Sequence, residues 1–130
     1  MLITKSATQG VSDNDGYTIL IVSRPTHNDG VTPDERLDPE KFDAWWPELA
    51  PSPVMVGLYY AEKIDWVDFK KAYFERLQGE SWPMANELIK LAKKYKVTVF
   101  CIETSPAFCH RGLLAEFCQQ ADRTLNIVIG

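Results

Sequence analysis

The sequence predicts an α/β domain built on a covered, mostly parallel sheet. Residues 17–22 and 97–102 are short β-branched runs, apolar at nearly every position. Strands buried on both faces have this composition, whereas half-solvated strands alternate. Helical spacing of apolar residues fills the stretches after 65, and helices interleaved with covered strands are the pattern of an α/β layer. The 130 residues suit a single domain, since domains most often run to about 100–150 residues.

Residues 1–14 carry no clear periodicity and are read as a loosely ordered N-terminal segment. The first strand, 17–22, is entered through Asn14-Asp15-Gly16 and left through Arg24-Pro25, both turn chemistry. Asn28-Asp29-Gly30 repeats the turn signal. An acidic, Pro-punctuated loop over 33–40 follows, with a short helix beginning near Pro39. Residues 45–60 do not resolve. Pro47, Pro51 and Pro53 break regular structure, and 54–60 reads equally as a buried strand or a short helix.

From Asp65 the pattern is firmer. Asp65 is placed to cap a helix that carries Trp66, Phe69, Tyr73, Phe74 and Leu77 on one face and stops at Gly79. A second helix starts at Pro83, a favoured first-turn position, and buries Met84, Leu88, Leu91 and Tyr95. After the strand at 97–102, a third helix presents Leu113, Leu114, Phe117, Cys118 and Ala121. Residues 125–129 form the last strand. The whole reads as one compact Rossmann-like α/β domain over 1–130, a mostly parallel sheet with helices on both faces.

Composition excludes several classes. Aromatic content of 12% with 25% charged residues is too core-forming for a disordered chain. The longest apolar stretches, 17–22 and 54–61, fall far short of the ~20 residues of a spanning helix. Residues 1–10 lack a secretory apolar core. The three cysteines are an odd number crowded near the C-terminus, unlike an extracellular disulfide framework. A reducing cytoplasm is the expected compartment.

The net charge of −4 hides an asymmetry: residues 1–68 carry five bases and twelve acids, residues 69–130 nine bases and six acids. Overall acidity argues against nucleic acid as a partner. The cluster of Lys90, Lys93, Lys94 and Lys96 is read as solvated helix surface, with cations favoured at a helix C-terminus.

The chemically informative stretch is 101–111, between a strand and a helix. Ligands of open parallel sheets collect at the C-terminal ends of strands, and this loop begins there. Strand alternation places Cys101 and Glu103 on one side. Cys109-His110-Arg111 falls at the start of a helix, where free N–H groups favour an anion. Arg24, just past the first strand, reaches the same rim if the two strands are neighbours.

A cysteine beside a guanidinium, an imidazole and a helix N-terminus is a candidate nucleophile. Cys109 is that candidate, with His110 as proton donor or acceptor and Glu103 orienting it. Arg24, Arg111 and Cys101 are assigned to ligand binding. Plain alternatives stand beside these roles: core packing for Cys101 and Cys109, and a structural ion pair for Glu103. Cys118, on the apolar face, is a core thiol.

Cys101, Cys109 and His110, with His27, would give four metal ligands, but the spacing is uncommon for zinc, and no metal or cofactor is expected. A Cys101–Cys109 redox pair is a further alternative. No P-loop, G-x-G-x-x-G, G-x-S-x-G or H-E-x-x-H occurs. Trp45, Trp46, Tyr59 and Tyr60 are read as packing, with ring stacking or a homodimer contact as alternatives.

Cys101, Glu103, Pro106, Cys109, His110, Arg111, Leu114 and Ala115 together resemble the C-terminal signature of the bacterial and archaeal domain-of-unknown-function 488 family (DUF488), in its Cys-His-Arg branch. Asp15-Gly16-Tyr17 leading to Arg24, Leu49-Ala50-Pro51-Ser52, and Trp66, Phe69 and Tyr73 are also similar to family features. The likeness covers 15–121. One branch continues its first strand into a Trp-Pro-Arg-Gly-like loop, whereas here Arg24 is followed by Pro25-Thr26-His27. The resemblance implies an α/β fold and a polar site of Arg24, Glu103, Cys109, His110 and Arg111, but no reaction.

The expectation is therefore a small cytoplasmic protein that binds an anionic, nucleotide-like or phosphorylated molecule at the 101–111 loop. Cys109 would act as nucleophile in a hydrolase- or transferase-type reaction. The alternative is a non-catalytic binding or regulatory module in which Cys-His-Arg is a structural loop-to-helix feature.

Overall fold

The computed structural model describes residues 1–27, 29, 31–102 and 109–130. Strands β1 (Leu2–Ser6), β2 (Tyr17–Leu20), β3 (Ala44–Trp45), β4 (Val97–Cys101) and β5 (Ile127–Ile129) form one sheet in the order β3-β2-β4-β1-β5. Every pairing is parallel. Val97 is in register with Leu2 on one side and Tyr17 on the other, so β4 is central, and all five of its residues are buried. That is the covered, parallel sheet and Rossmann-like architecture expected of the two β-branched runs.

β1 departs from the expectation for 1–14. Its buried positions alternate with half-buried ones, and two of the buried side chains, Thr4 and Ser6, are polar. Short polar strands are inconspicuous by composition, yet this one lies inside the sheet because its hydroxyls have partners. Thr4 Oγ1 donates to the Gly130 carbonyl at 3.3 Å, and Ser6 Oγ shares a 2.8 Å hydrogen bond with Thr8.

Gly16 enters β2 with a φ of 69°, and a Cβ there would fall 2.3 Å from the Lys96 carbonyl oxygen. The turn at Asn14-Asp15-Gly16 thus needs glycine both for its left-handed backbone and for the close approach of β4's lead-in.

Helix α1 (Pro53–Tyr60) settles the stretch that periodicity left open. Ser52 Oγ accepts from the Met55 amide at 3.2 Å, and Pro53 occupies the first turn, a start signal of known type. Helix α2 (Trp66–Gln78) runs as expected from its Asp65 cap to Gly79 and buries Phe69, Tyr73 and Leu77. The Asp65 carboxylate accepts from the Asp68 amide at 2.8 Å. Asp65→Ala is expected to cost about 1 kcal/mol of folding stability, read as a shift in the urea midpoint.

Helix α3 (Trp82–Lys94) buries Ala85, Leu88, Ile89 and Ala92. Met84 and Leu91 pack at its margin, but Tyr95, expected inside, is 61% exposed. It is the C-cap residue, in extended backbone, so helical spacing no longer positions it. Helix α4 (His110–Ala121) buries Leu113, Leu114, Phe117 and Cys118, while Ala121, at its last turn, is exposed. The amide of Leu2 bonds the Asn126 carbonyl at 2.8 Å as β1 and β5 pair. Among the described residues no helix is long and apolar enough to cross a membrane.

Candidate functional site

The strand order creates one position where a cleft must open. From β2 the chain proceeds outward to β3, whereas from β4 it proceeds through α4 past β1 to β5. Neighbouring parallel strands whose connections leave in opposite directions leave a crevice beyond their C-terminal ends. A cleft of about 570 Å³ lies there. Its floor is Val22, Ser23 and Arg24 after β2, and Cys101 and Ile102 at the end of β4. Pro53, Val56, Gly57 and Tyr60 of α1, with Phe69 of α2, supply an apolar wall.

Four of the sequence-derived candidates meet in this cleft: Arg24, Cys101, Cys109 and His110, joined by His27. Arg24 is exposed. Glu103 lies outside the described residues. Arg111 is elsewhere, as described below.

Cys109 is the N-cap residue of α4 and is 2% exposed. Its sulfur forms a disulfide with Cys101, the redox pairing among the alternatives open to the sequence. Cys118 is free and fully buried, and burial pushes its thiol up to about 12, as befits a core residue.

His110 opens α4 and ties it to β2. Its Nε2 lies 2.7 Å from the Ile21 carbonyl oxygen. A carbonyl only accepts, so Nε2 carries the hydrogen. Burial is the main force on its acidity and lowers its pKa to about 4, with the Arg111 charge acting in the same direction and the Ile21 hydrogen bond opposing. At neutral pH the ring is therefore uncharged and Nδ1 holds a lone pair. That nitrogen lies 4.0 Å from the Cys109 sulfur, so the adjacent side chains converge. The Tyr73 ring packs edge-on to the imidazole at 5.9 Å, and the Tyr73 hydroxyl donates to the Leu49 carbonyl.

Leu49-Ala50-Pro51-Ser52 acquires a physical role here. Leu49 and Ala50 present carbonyls to Tyr73 and to Arg76 Nε, the latter at 2.9 Å, and Ser52 caps α1. The segment pins the apolar wall against α2. No periodicity marks such a segment; only its Pro and Ser hint at it.

Arg111 turns away from the cleft. It is fully buried, with Nε donating to the Gly130 carbonyl at 3.2 Å and Nη1 lying 3.3 Å from Cys101 Sγ. Consecutive helical residues point about 100° apart, so His110 and Arg111 serve opposite sides of the α4 entry. The guanidinium contacts the underside of the site, through Cys101, and takes no position on the cleft wall.

His27, on the outer lip, has Nδ1 3.6 Å from the Asp34 carboxylate, which Arg36 also holds at 2.7 Å. Hydrogen bonding from Arg36 keeps the Asp34 carboxyl below its usual range. Among the described residues, the grouped donors that could hold a metal ion are Cys101 Sγ, Cys109 Sγ and a His110 ring nitrogen, all within 4.8 Å of one another.

A family model described as the Active DUF488-N3 subclade (DUF488-N3a) matches residues 2–122. Comparison with curated proteins and with solved structures finds no match.

Proposed function

The chain belongs to the DUF488 family, and from that premise and the geometry of the cleft we propose that it binds a small anionic, nucleotide-like or phosphorylated molecule and acts on it through Cys109. The observation that carries this reading is the meeting of Arg24, His110 and Cys109 in one crevice at the β2–β4 strand ends. The volume of about 570 Å³ lies in the range of small-molecule sites, which combine apolar walls with a few placed polar groups. Arg24 supplies the fork that grips phosphate or carboxylate. The Tyr60 side chain, 64% exposed on the cleft wall, supplies aromatic surface for a ring.

The chemistry requires the disulfide to be open. The Cys109 thiol then passes its proton to His110 Nδ1 as its sulfur attacks the electrophilic carbon or phosphorus of the ligand. The leaving group departs with the proton from the imidazolium, and water or a second acceptor releases the bound fragment from sulfur. The Ile21 carbonyl holds the ring in the tautomer this step needs.

The test is the rate at which iodoacetamide alkylates Cys109 in the reduced protein, with and without a panel of nucleoside phosphates and sugar phosphates. Cys109 is expected to react faster than free cysteine at neutral pH. At least one phosphorylated compound is expected to protect it, and Arg24→Ala to weaken that protection at least about tenfold. No protection by any member, or protection indifferent to Arg24, overturns the binding claim.

A second reading has its own support. The near-complete burial of Cys109 and Arg111 and the Cys101–Cys109 bond favour a binding module in which Cys-His-Arg braces the entry to α4. In that case reduced Cys109 alkylates no faster than free cysteine.

A further inference from the structure

We infer that Cys101, Cys109 and His110, once the disulfide is reduced, form a binding site for a divalent cation of the zinc class. Four features of the structure converge on it. The two sulfurs and the ring nitrogen lie within 4.8 Å of one another, a limit that the donors around a tetrahedral zinc ion, with bonds of about 2.0–2.3 Å, also meet. The Cα atoms of the cysteines are 7.7 Å apart, beyond the roughly 4.4–6.8 Å that a disulfide usually spans. Two thiolates meeting on one ion suit that wider backbone spacing.

The third feature is the orientation of His110. Nε2–H donates to the Ile21 carbonyl at 2.7 Å, which leaves Nδ1, the nitrogen beside Cys109, as the free donor atom. Histidine ligands commonly have their second nitrogen anchored in this way. The fourth is charge. Two thiolates cancel the charge of a dication, which suits a site as buried as Cys101 and Cys109. All three ligand residues line the cleft that also holds Arg24, so a fourth ligand would enter from the cleft side.

Opening the disulfide takes two electrons, supplied by a phosphine reductant that becomes its oxide with the oxygen of water, leaving two thiols. Metal binding then releases both thiol protons to solvent. With the ion bound Cys109 is a ligand, and the reaction proposed above belongs to the reduced, metal-free protein. Metal uptake is measured without organic ligand, so its failure leaves the alkylation result untouched.

The experiment titrates cobalt(II), as a spectroscopic stand-in for zinc, into full-length protein reduced with a trialkylphosphine. One equivalent is expected to bind with the visible bands of tetrahedral coordination and thiolate-to-cobalt charge transfer, both removed by added zinc. Reoxidised wild-type protein, Cys101→Ser and Cys109→Ser are expected to lose the signal. Cys118→Ala is expected to keep it, and His110→Gln to weaken binding at least about tenfold. No uptake by the reduced wild type, or a spectrum that persists after reoxidation, overturns the inference without depending on how any variant folds.

Discussion

Arg111→Ala is expected to lose about 3–5 kcal/mol of folding stability, the range for truncating a large core side chain. Arg111 is among the largest fully buried side chains of the protein. It joins three elements at once: the first turn of α4, the Gly130 carbonyl beyond β5, and Cys101 at the end of β4. Truncation leaves a cavity and removes the contacts of the guanidinium to the Gly130 carbonyl and the Cys101 sulfur. A loss of this size takes a large part of the 5–15 kcal/mol or so typical of a domain.

Two variants separate the causes. Arg111→Lys keeps a charge but not the planar fork and is expected to remain well below wild type. Arg111→Met fills the space without charge. If it matches or exceeds wild type in urea denaturation while cobalt uptake falls, the buried charge serves the sulfur site more than the fold. A loss below about 1 kcal/mol for Arg111→Ala would contradict the bracing role.

Stability is also expected to fall on acidification in a window that belongs to His110. In the unfolded chain an imidazole takes up its proton near pH 6.5; in the folded protein it does so only at about 4. Between these values the unfolded state binds a proton that the native state refuses, so stability drops as pH falls. The loss grows by about 1.4 kcal/mol per pH unit to roughly 3 kcal/mol near pH 4, then levels off once both states are protonated. The lowered carboxyls of Asp34 and Asp122 act in the same direction but below that window. Urea midpoints near pH 7 and near pH 4.5 are expected to differ markedly for wild type and far less for His110→Gln. An unchanged slope in the variant would assign the effect elsewhere.

Much of this architecture is legible in the residues, and the misses have physical causes. β2 and β4 announce themselves because strands covered on both faces must be apolar throughout. α2 is legible because Asp65 and Gly79 punctuate an amphipathic run. α1 is ambiguous because Pro53–Tyr60 is apolar all round, so periodicity carries no information, and the decisive signal is the Ser52-Pro53 start. β1 escapes notice because its buried threonine and serine look like surface residues until their hydroxyl partners are known. At the site, the strand-end rule brings Arg24, Cys101, Cys109 and His110 to one crevice. The same rule misdirects Arg111, because a contiguous Cys-His-Arg suggests a shared surface while helical rotation sends neighbouring side chains apart.

The interior position of β1 carries a consequence for how the molecule is made. Among the described residues β1, at 2–6, pairs with β4 and β5, whose residues come at 97–101 and 127–129. During translation it waits for β4, more than ninety residues further on, and each pairing closes a very long loop. Such non-local topologies fold slowly and keep unpaired edges accessible meanwhile.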